Sequence, residues 1–185
     1  MKVPVGLIAS YWGGTNVQSW MTNEVFENNA ELKNLADDTK PVNWAPTEPS
    51  VIYNSMLHPL VNYNIAGAIW YQGEGNTGEP QNYGKLFEGL IKGWRKAFDK
   101  EFPFYFVQIA PWNGYWKNSA AYLREQQASV LSLPKTGMIS VGDLVDNISD
   151  IHPRIKKEVG NRLVNLALKE HYGIQGIQPY HPKFK

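Results

Sequence analysis

Ala66-Gly67-Ala68-Ile69-Trp70-Tyr71-Gln72-Gly73-Glu74-Gly75-Asn76-Thr77-Gly78 is the stretch that decides the fold. It opens as a short apolar run of strand length and turns polar and glycine-rich. It then leads to Tyr83, Leu86, Phe87, Leu90, Ile91, Trp94 and Phe98, spaced as one face of a helix. Outward from it the same alternation recurs. Val3 to Ala9, Phe104 to Ala110 and Met138 to Val141 read as further buried strands, giving four in all. Helical spacing appears in Ile52, Met56, Leu57 and Leu60, in Tyr122 to Leu131, and in Ile155, Val159, Leu163 and Leu166. Strands alternating with helices predict an α/β domain with a parallel sheet between two helical layers. Thr22 to Ser50, rich in Asn, Asp, Glu, Pro and Thr, reads as a long loop, and no internal repeat or low-complexity tract interrupts the chain.

The 185 residues match the size of one domain. Lys+Arg 18 against Asp+Glu 17 leaves a formal charge of +1, so no basic field draws in a phosphate backbone and no nucleic-acid partner is expected. The absence of Cys excludes disulfides, thiolate metal sites and cysteine nucleophiles. No apolar run approaches the ~18–20 residues of a membrane helix, Met1 to Pro4 does not open like a signal peptide, and no membrane partner is expected.

Ligands of open parallel sheets bind beyond the carboxyl ends of the strands. The segments there are Ser10 to Thr15, Gln72 to Thr77, Pro111-Trp112-Asn113, and Gly142-Asp143 through Asp150-Ile151-His152-Pro153. Gly73-x-Gly75-x-x-Gly78 matches a dinucleotide fingerprint, but Glu74 would face the pyrophosphate and the next strand ends in Val107-Gln108-Ile109-Ala110, with no acid for a ribose. The reading adopted is a polar site built from Gln72, Glu74 and Asn76. Asp150 and His152 lie two apart before a helix expected to start at Pro153. A histidine that takes a proton from a nucleophile needs an oxygen on its other ring nitrogen. Asp150 either supplies that oxygen or caps the helix. His58, His171 and His181 have no comparable neighbourhood and read as surface or structural residues.

Five blocks occur in one order. They are Pro4-Val5-Gly6-Leu7-Ile8 with Trp12-Gly13-Gly14-Thr15 and Trp20; Tyr53-Asn54-Ser55-Met56 with Pro59; Gly67 to Asn76; Leu123-Arg124-Glu125-Gln126; and Asp150-Ile151-His152-Pro153 with Lys156, Val159, Gly160, Arg162 and Leu163. Together they resemble the sialate O-acetylesterase family of SGNH hydrolases, least over Thr22 to Thr47 and after Tyr172. The resemblance implies a three-layer α/β/α sandwich with a flavodoxin-like parallel sheet. It also implies metal-free and cofactor-free hydrolysis of acetyl esters on sugars by a serine, in a periplasmic or secreted setting for the full-length protein. By that resemblance His152 would be the general base, Asp150 its acid partner and Gly14 an oxyanion donor, with Gln72, which leaves the strand end directly, the first choice for the amide donor and Asn76 the second. Trp12, Glu74 and Trp112 are the expected substrate-binding residues.

The family's Gly-Gln-Ser-Asn or Gly-Asp-Ser-Asn block occurs nowhere in these residues, and Ser10 lacks its flanking Gly and Asn. The expectation is therefore residues 1–185 as the later part of one hydrolase domain, inactive alone, with its nucleophile upstream. Its sheet would hold a gap between Val3 to Ala9 and Ala66 to Tyr71, filled by an upstream fragment, by a second copy, or closed by rearranged pairing. Two other readings are a non-catalytic sugar-binding remnant using Trp12, Trp70, Trp112 and Trp116, and a glycosidase with Glu74 and Asp150 as its carboxylate pair.

Overall fold

The structure is a computed structural model and describes residues 4–180. Three parallel strands form the sheet: β1 (Ala68–Trp70), β2 (Phe104–Val107) and β3 (Thr136–Ile139), in the order β1-β2-β3. Ala68 lies opposite Phe104, and Phe104 opposite Thr136. The central strand is Phe-Tyr-Phe-Val, buried throughout, as expected where helices cover both faces.

Side chains alternate across a strand, and β2 divides its own between two cores. Phe104 and Phe106 join Trp70, Phe87, Leu90, Ile91 and Leu123 beneath α3 (Tyr83–Ala97) and α4 (Ser119–Ser129). Tyr105 and Val107 join Ile139, Val159, Leu163 and Leu166 beneath α5 (Lys156–Glu170). The sheet is thus the middle of three layers, and the α/β expectation holds. Trp70 centres the larger core, edge-on to Trp20 and Trp94 with ring centroids 5.6 Å away in both cases.

The sequence reading needs several corrections. Residues 4–10 form no strand: Val5 and Leu7 are 73% and 91% exposed. Val3 lies outside the described residues, as does His181. A lone extended segment gains no ladder hydrogen bonds, and residues 4–9 do not pair with β1. Thr22 to Ser50 is not one loop, because it contains α1 (Asn23–Glu27) and α2 (Ala30–Asp37). The Asn29 side chain caps α2 by accepting from Leu32 N (3.1 Å), and Phe26, Leu32 and Ala36 supply buried contacts within a polar composition. Ile52 to Leu60 winds as a π segment and a 3-10 turn, since Pro59 cannot donate to an α-helical ladder. Pro153 does not open α5, which starts three residues later after a tight turn in which Lys156 N donates to Arg154 O (2.8 Å).

Candidate active site

The first two sheet-end segments are locked together by buried amides. Thr15 to Trp20 are all buried, and Gly75 packs so closely on them that a Cβ would stand 2.4 Å from Thr15 O. Gln72 Nε2 donates to Thr15 O and to Asn76 Oδ1, both at 2.9 Å, while its Oε1 accepts from Tyr83 Oη (3.0 Å). Asn76 Oδ1 also accepts from Val17 N (2.9 Å), and its Nδ2 donates to Gln18 Oε1 (2.8 Å). A side-chain amide has two donor hydrogens. Gln72 spends both on the scaffold, whereas Asn76 spends one and keeps one. Gly14 sits at φ +76, in the left-handed region that favours glycine, next to the Trp44 indole. Of the three glycines in the dinucleotide-like stretch, Gly73 and Gly75 serve close packing and Gly78 has open space around it.

Gln127, fully buried on α4, ties the second segment to the third. Its Nε2 donates to Gln72 O (3.1 Å) and Val107 O (3.2 Å), and its Oε1 accepts from Ile109 N (2.9 Å). The third and fourth segments are joined in turn: Asn113 N donates to Ile148 O (2.8 Å), and Trp112 Nε1 to Ser149 O (3.3 Å). At the base of the fourth segment Arg162 of α5 donates to Ser140 O and Asp143 Oδ1, both at 2.7 Å.

His152 stands out from this framework with 86% of its side chain exposed, and is not buried under α5. Its Nδ1 lies 3.4 Å from Asp150 Oδ1, which also accepts from His152 N (2.9 Å). That backbone N–H, together with Arg154, holds the Asp150 carboxyl below the usual aspartate range. Asp150 does not cap α5, which has no side-chain cap. Glu74 is half-buried, and burial pushes its carboxyl up against the opposing fields of Lys156 and His152, so it lies within electrostatic reach of the histidine. Burial likewise raises the phenols of Tyr71 and Tyr115, with Glu74 adding to both shifts.

Of the residues singled out from sequence, Gly14, Gln72, Asn76 and Glu74 lie on the joined first and second segments, and Asp150 and His152 on the fourth, with His152 within electrostatic reach of Glu74. Trp12 is about half exposed and Trp112 partly so, but Trp70 is core and belongs to no sugar platform. Among the other histidines His58 and His171 are exposed. Sequence reasoning gave no role to Gln127, Tyr71 or Tyr115. Gln127 was traceable as a polar residue four after Leu123 on the apolar face of α4, and Tyr71 as the first residue beyond β1.

A family model described as carbohydrate esterase, sialic acid-specific acetylesterase, matches residues 1–169. The sialate O-acetylesterase of Rattus norvegicus is 30% identical over 225 residues, covering 96% of this chain and 41% of that protein. The human sialate O-acetylesterase is 32% identical over 185 residues, covering 88% and 35%. The crystal structure of a carbohydrate acetylesterase from Xanthomonas citri superposes with a TM-score of 0.75 at 35% identity, covering 88% of this chain and 36% of that one. The chain spans about two fifths of the length of these relatives, or less. The match over residues 1–169, together with the parallel α/β sheet and the loops gathered at its carboxyl ends, shows that the chain belongs to the sialic acid-specific acetylesterase family of carbohydrate esterases.

Proposed function

We propose that this chain supplies the base and oxyanion side of a serine esterase site that removes O-acetyl groups from sialic acid or a related sugar. The nucleophilic serine would come from a segment outside these 185 residues, and the chain alone would be inactive. The observation that carries the reading is the exposed His152 beside Asp150, on a loop tied to the framework that holds Gly14 and Asn76.

In this reading the serine hydroxyl passes its proton to His152 Nε2 as Oγ bonds to the acetyl carbon. The negative charge then moves to the carbonyl oxygen. Gly14 N–H and the unspent hydrogen of Asn76 Nδ2 are the donors to that oxygen. Gln72, with both hydrogens committed, braces Asn76. Collapse breaks the bond to the sugar oxygen, which takes the proton from His152. Water then repeats the sequence and acetate leaves. Asp150, already 3.4 Å from Nδ1, stabilises the imidazolium that forms. The serine strand would fill the outer edge of β1, where Ile69 is 69% exposed and residues 4–9 do not pair.

A polypeptide carrying the serine block ahead of residue 1 should release acetate from O-acetylated sialic acid and leave unacetylated glycosides intact. Glycoside cleavage without acetate release would favour the carboxylate-pair reading. A second reading, a sugar-binding remnant, draws on the exposure of Trp12 and Trp116. Acetylated-glycan binding by the 185-residue chain, with no acetate release from the serine-bearing polypeptide, would favour it.

A further inference from the structure

Six buried side-chain polar atoms have no hydrogen-bond partner among the described residues, and three of them lie around the candidate site: Tyr71 Oη, Tyr115 Oη and Arg124 Nη2. Burying such a group unpaired costs about 1–3 kcal/mol, and more when it is charged. Native structures carry few, and those they keep point to a role. The three come from different elements that meet at the carboxyl end of the sheet. Tyr71 follows β1, Tyr115 lies in the loop after β2, and Arg124 is on α4.

Each group is held by the protein. Arg124 Nε donates to Ile109 O (2.9 Å), which fixes the guanidinium plane and leaves Nη2 turned inward. The Tyr115 ring stands edge-on to Trp112 (5.1 Å, 89°), itself anchored to Ser149 on the histidine segment. Lys156 Nζ lies 4.9 Å from the centre of the Tyr71 ring. Each of the three side chains is partly exposed, with its polar end inside. The Tyr115 hydroxyl is within electrostatic range of Arg124, Tyr71 and Glu74, and Glu74 is within range of Lys156 and His152.

Three hydrogen-bond donors without partners, the Glu74 carboxyl and the His152 base thus belong to the loops at the carboxyl end of the sheet. Among the described residues Arg124 forms no ion pair. A guanidinium nitrogen and two hydroxyls, all buried and unpartnered, suit a carboxylate, which accepts several hydrogen bonds and balances the charge. We propose that Tyr71, Tyr115 and Arg124 form the subsite for the carboxylate of an acidic sugar, whose intervening hydroxyls meet Glu74 and whose acetylated hydroxyl reaches His152. This rests on the esterase reading above and narrows it: the sugar ring is gripped by its acid group, at the end remote from the ester.

The test is calorimetric titration of the 185-residue chain with N-acetylneuraminic acid and with its methyl ester, which replaces the carboxylate by a neutral ester one methyl group larger. The acid is expected to bind at least about tenfold tighter, as for loss of a charge-assisted hydrogen bond. Arg124→Met should bring the ratio close to one, and Tyr115→Phe should lower it in part. Circular dichroism checks that both variants fold, and the wild-type ratio needs no variant. Equal affinities for acid and ester, no binding of the acid, or an unchanged ratio in folded Arg124→Met would each overturn the subsite. Acetate release from a neutral acetylated sugar by the serine-bearing polypeptide would in that event leave the esterase reading standing.

Discussion

Gly75→Ala probes how the site is assembled. The added Cβ would stand 2.4 Å from Thr15 O and 2.9 Å from Thr15 C, where ordinary contact begins at 3.4 Å. The backbone at Thr15 and Asn16 must therefore withdraw by about 1 Å, since the main chain cannot swing aside as a flexible side chain does. That movement stretches the Gln72–Thr15 and Asn76–Val17 bonds of 2.9 Å, and the Asn76–Gln18 bond of 2.8 Å, beyond useful length. At about 0.5–1.5 kcal/mol for each net hydrogen bond, the expected loss is about 2–4 kcal/mol. For a domain of this size that lowers Tm by roughly 5–15 °C. Gly78→Ala is the internal control: nothing lies within 4 Å of its Cβ, and a change within about 0.5 kcal/mol is expected. Thermal and urea unfolding of both variants decide the matter. A Gly75→Ala protein as stable as the wild type, or two variants equally destabilised, would refute the close approach of the two segments.

Gln127→Leu keeps the volume of α4 but strands Ile109 N–H and two carbonyls. Urea unfolding should show a loss of about 3–5 kcal/mol, and a loss below about 1 kcal/mol would remove Gln127 as the brace. Glu74→Gln tests a raised carboxyl. The folded state holds the Glu74 proton more tightly than the unfolded state, so ionisation destabilises the fold as pH rises through and above the ordinary carboxylate range. The variant should be the more stable protein at pH 7, with the difference vanishing below about pH 4, and a less stable variant at pH 7 would contradict this. The Asp150 carboxyl should titrate below 3.8 by NMR and move up in Arg154→Ala; its stabilising effect is present above the usual aspartate range and fades as pH falls through its own midpoint. A titration above 3.8 would deny the hydrogen bond from His152 N.

The sheet was legible because β2, Phe-Tyr-Phe-Val, is buried along its whole length and has no other way to exclude water than between two helical layers, while β1, Ala-Ile-Trp, buries Trp70 in the larger core and leaves Ile69 exposed. The long helix α3 was equally clear from its spacing. The short helices α1 and α2 were hidden because only Phe26, Leu32 and Ala36 are buried along them, too few for a visible period. The N-terminal apolar run was misread for a different reason. Val5, Leu7 and Ile8 have the composition of a strand, but pairing is a property of two segments, and composition alone does not show whether a second segment lies alongside. At the site, Asp150-Ile151-His152 and the Gly-rich stretch were visible as unusual polar groups at strand ends. The unequal use of two amides was not. That Gln72 spends both hydrogens while Asn76 keeps one depends on where Thr15, Gln18 and Tyr83 come to rest, which only the packed structure supplies.

We propose His152 as the base of an acetylesterase whose serine comes from outside these 185 residues. The direct measurement is acetate release from O-acetylated sialic acid by the serine-bearing polypeptide, by its His152→Ala variant, and by the 185-residue chain alone. The account predicts turnover in the first, a loss of at least about a thousandfold in the second, as befits a nucleophile and base acting as one unit, and none in the third. Undiminished turnover in the His152→Ala variant, or turnover by the 185-residue chain at the full rate, would contradict it.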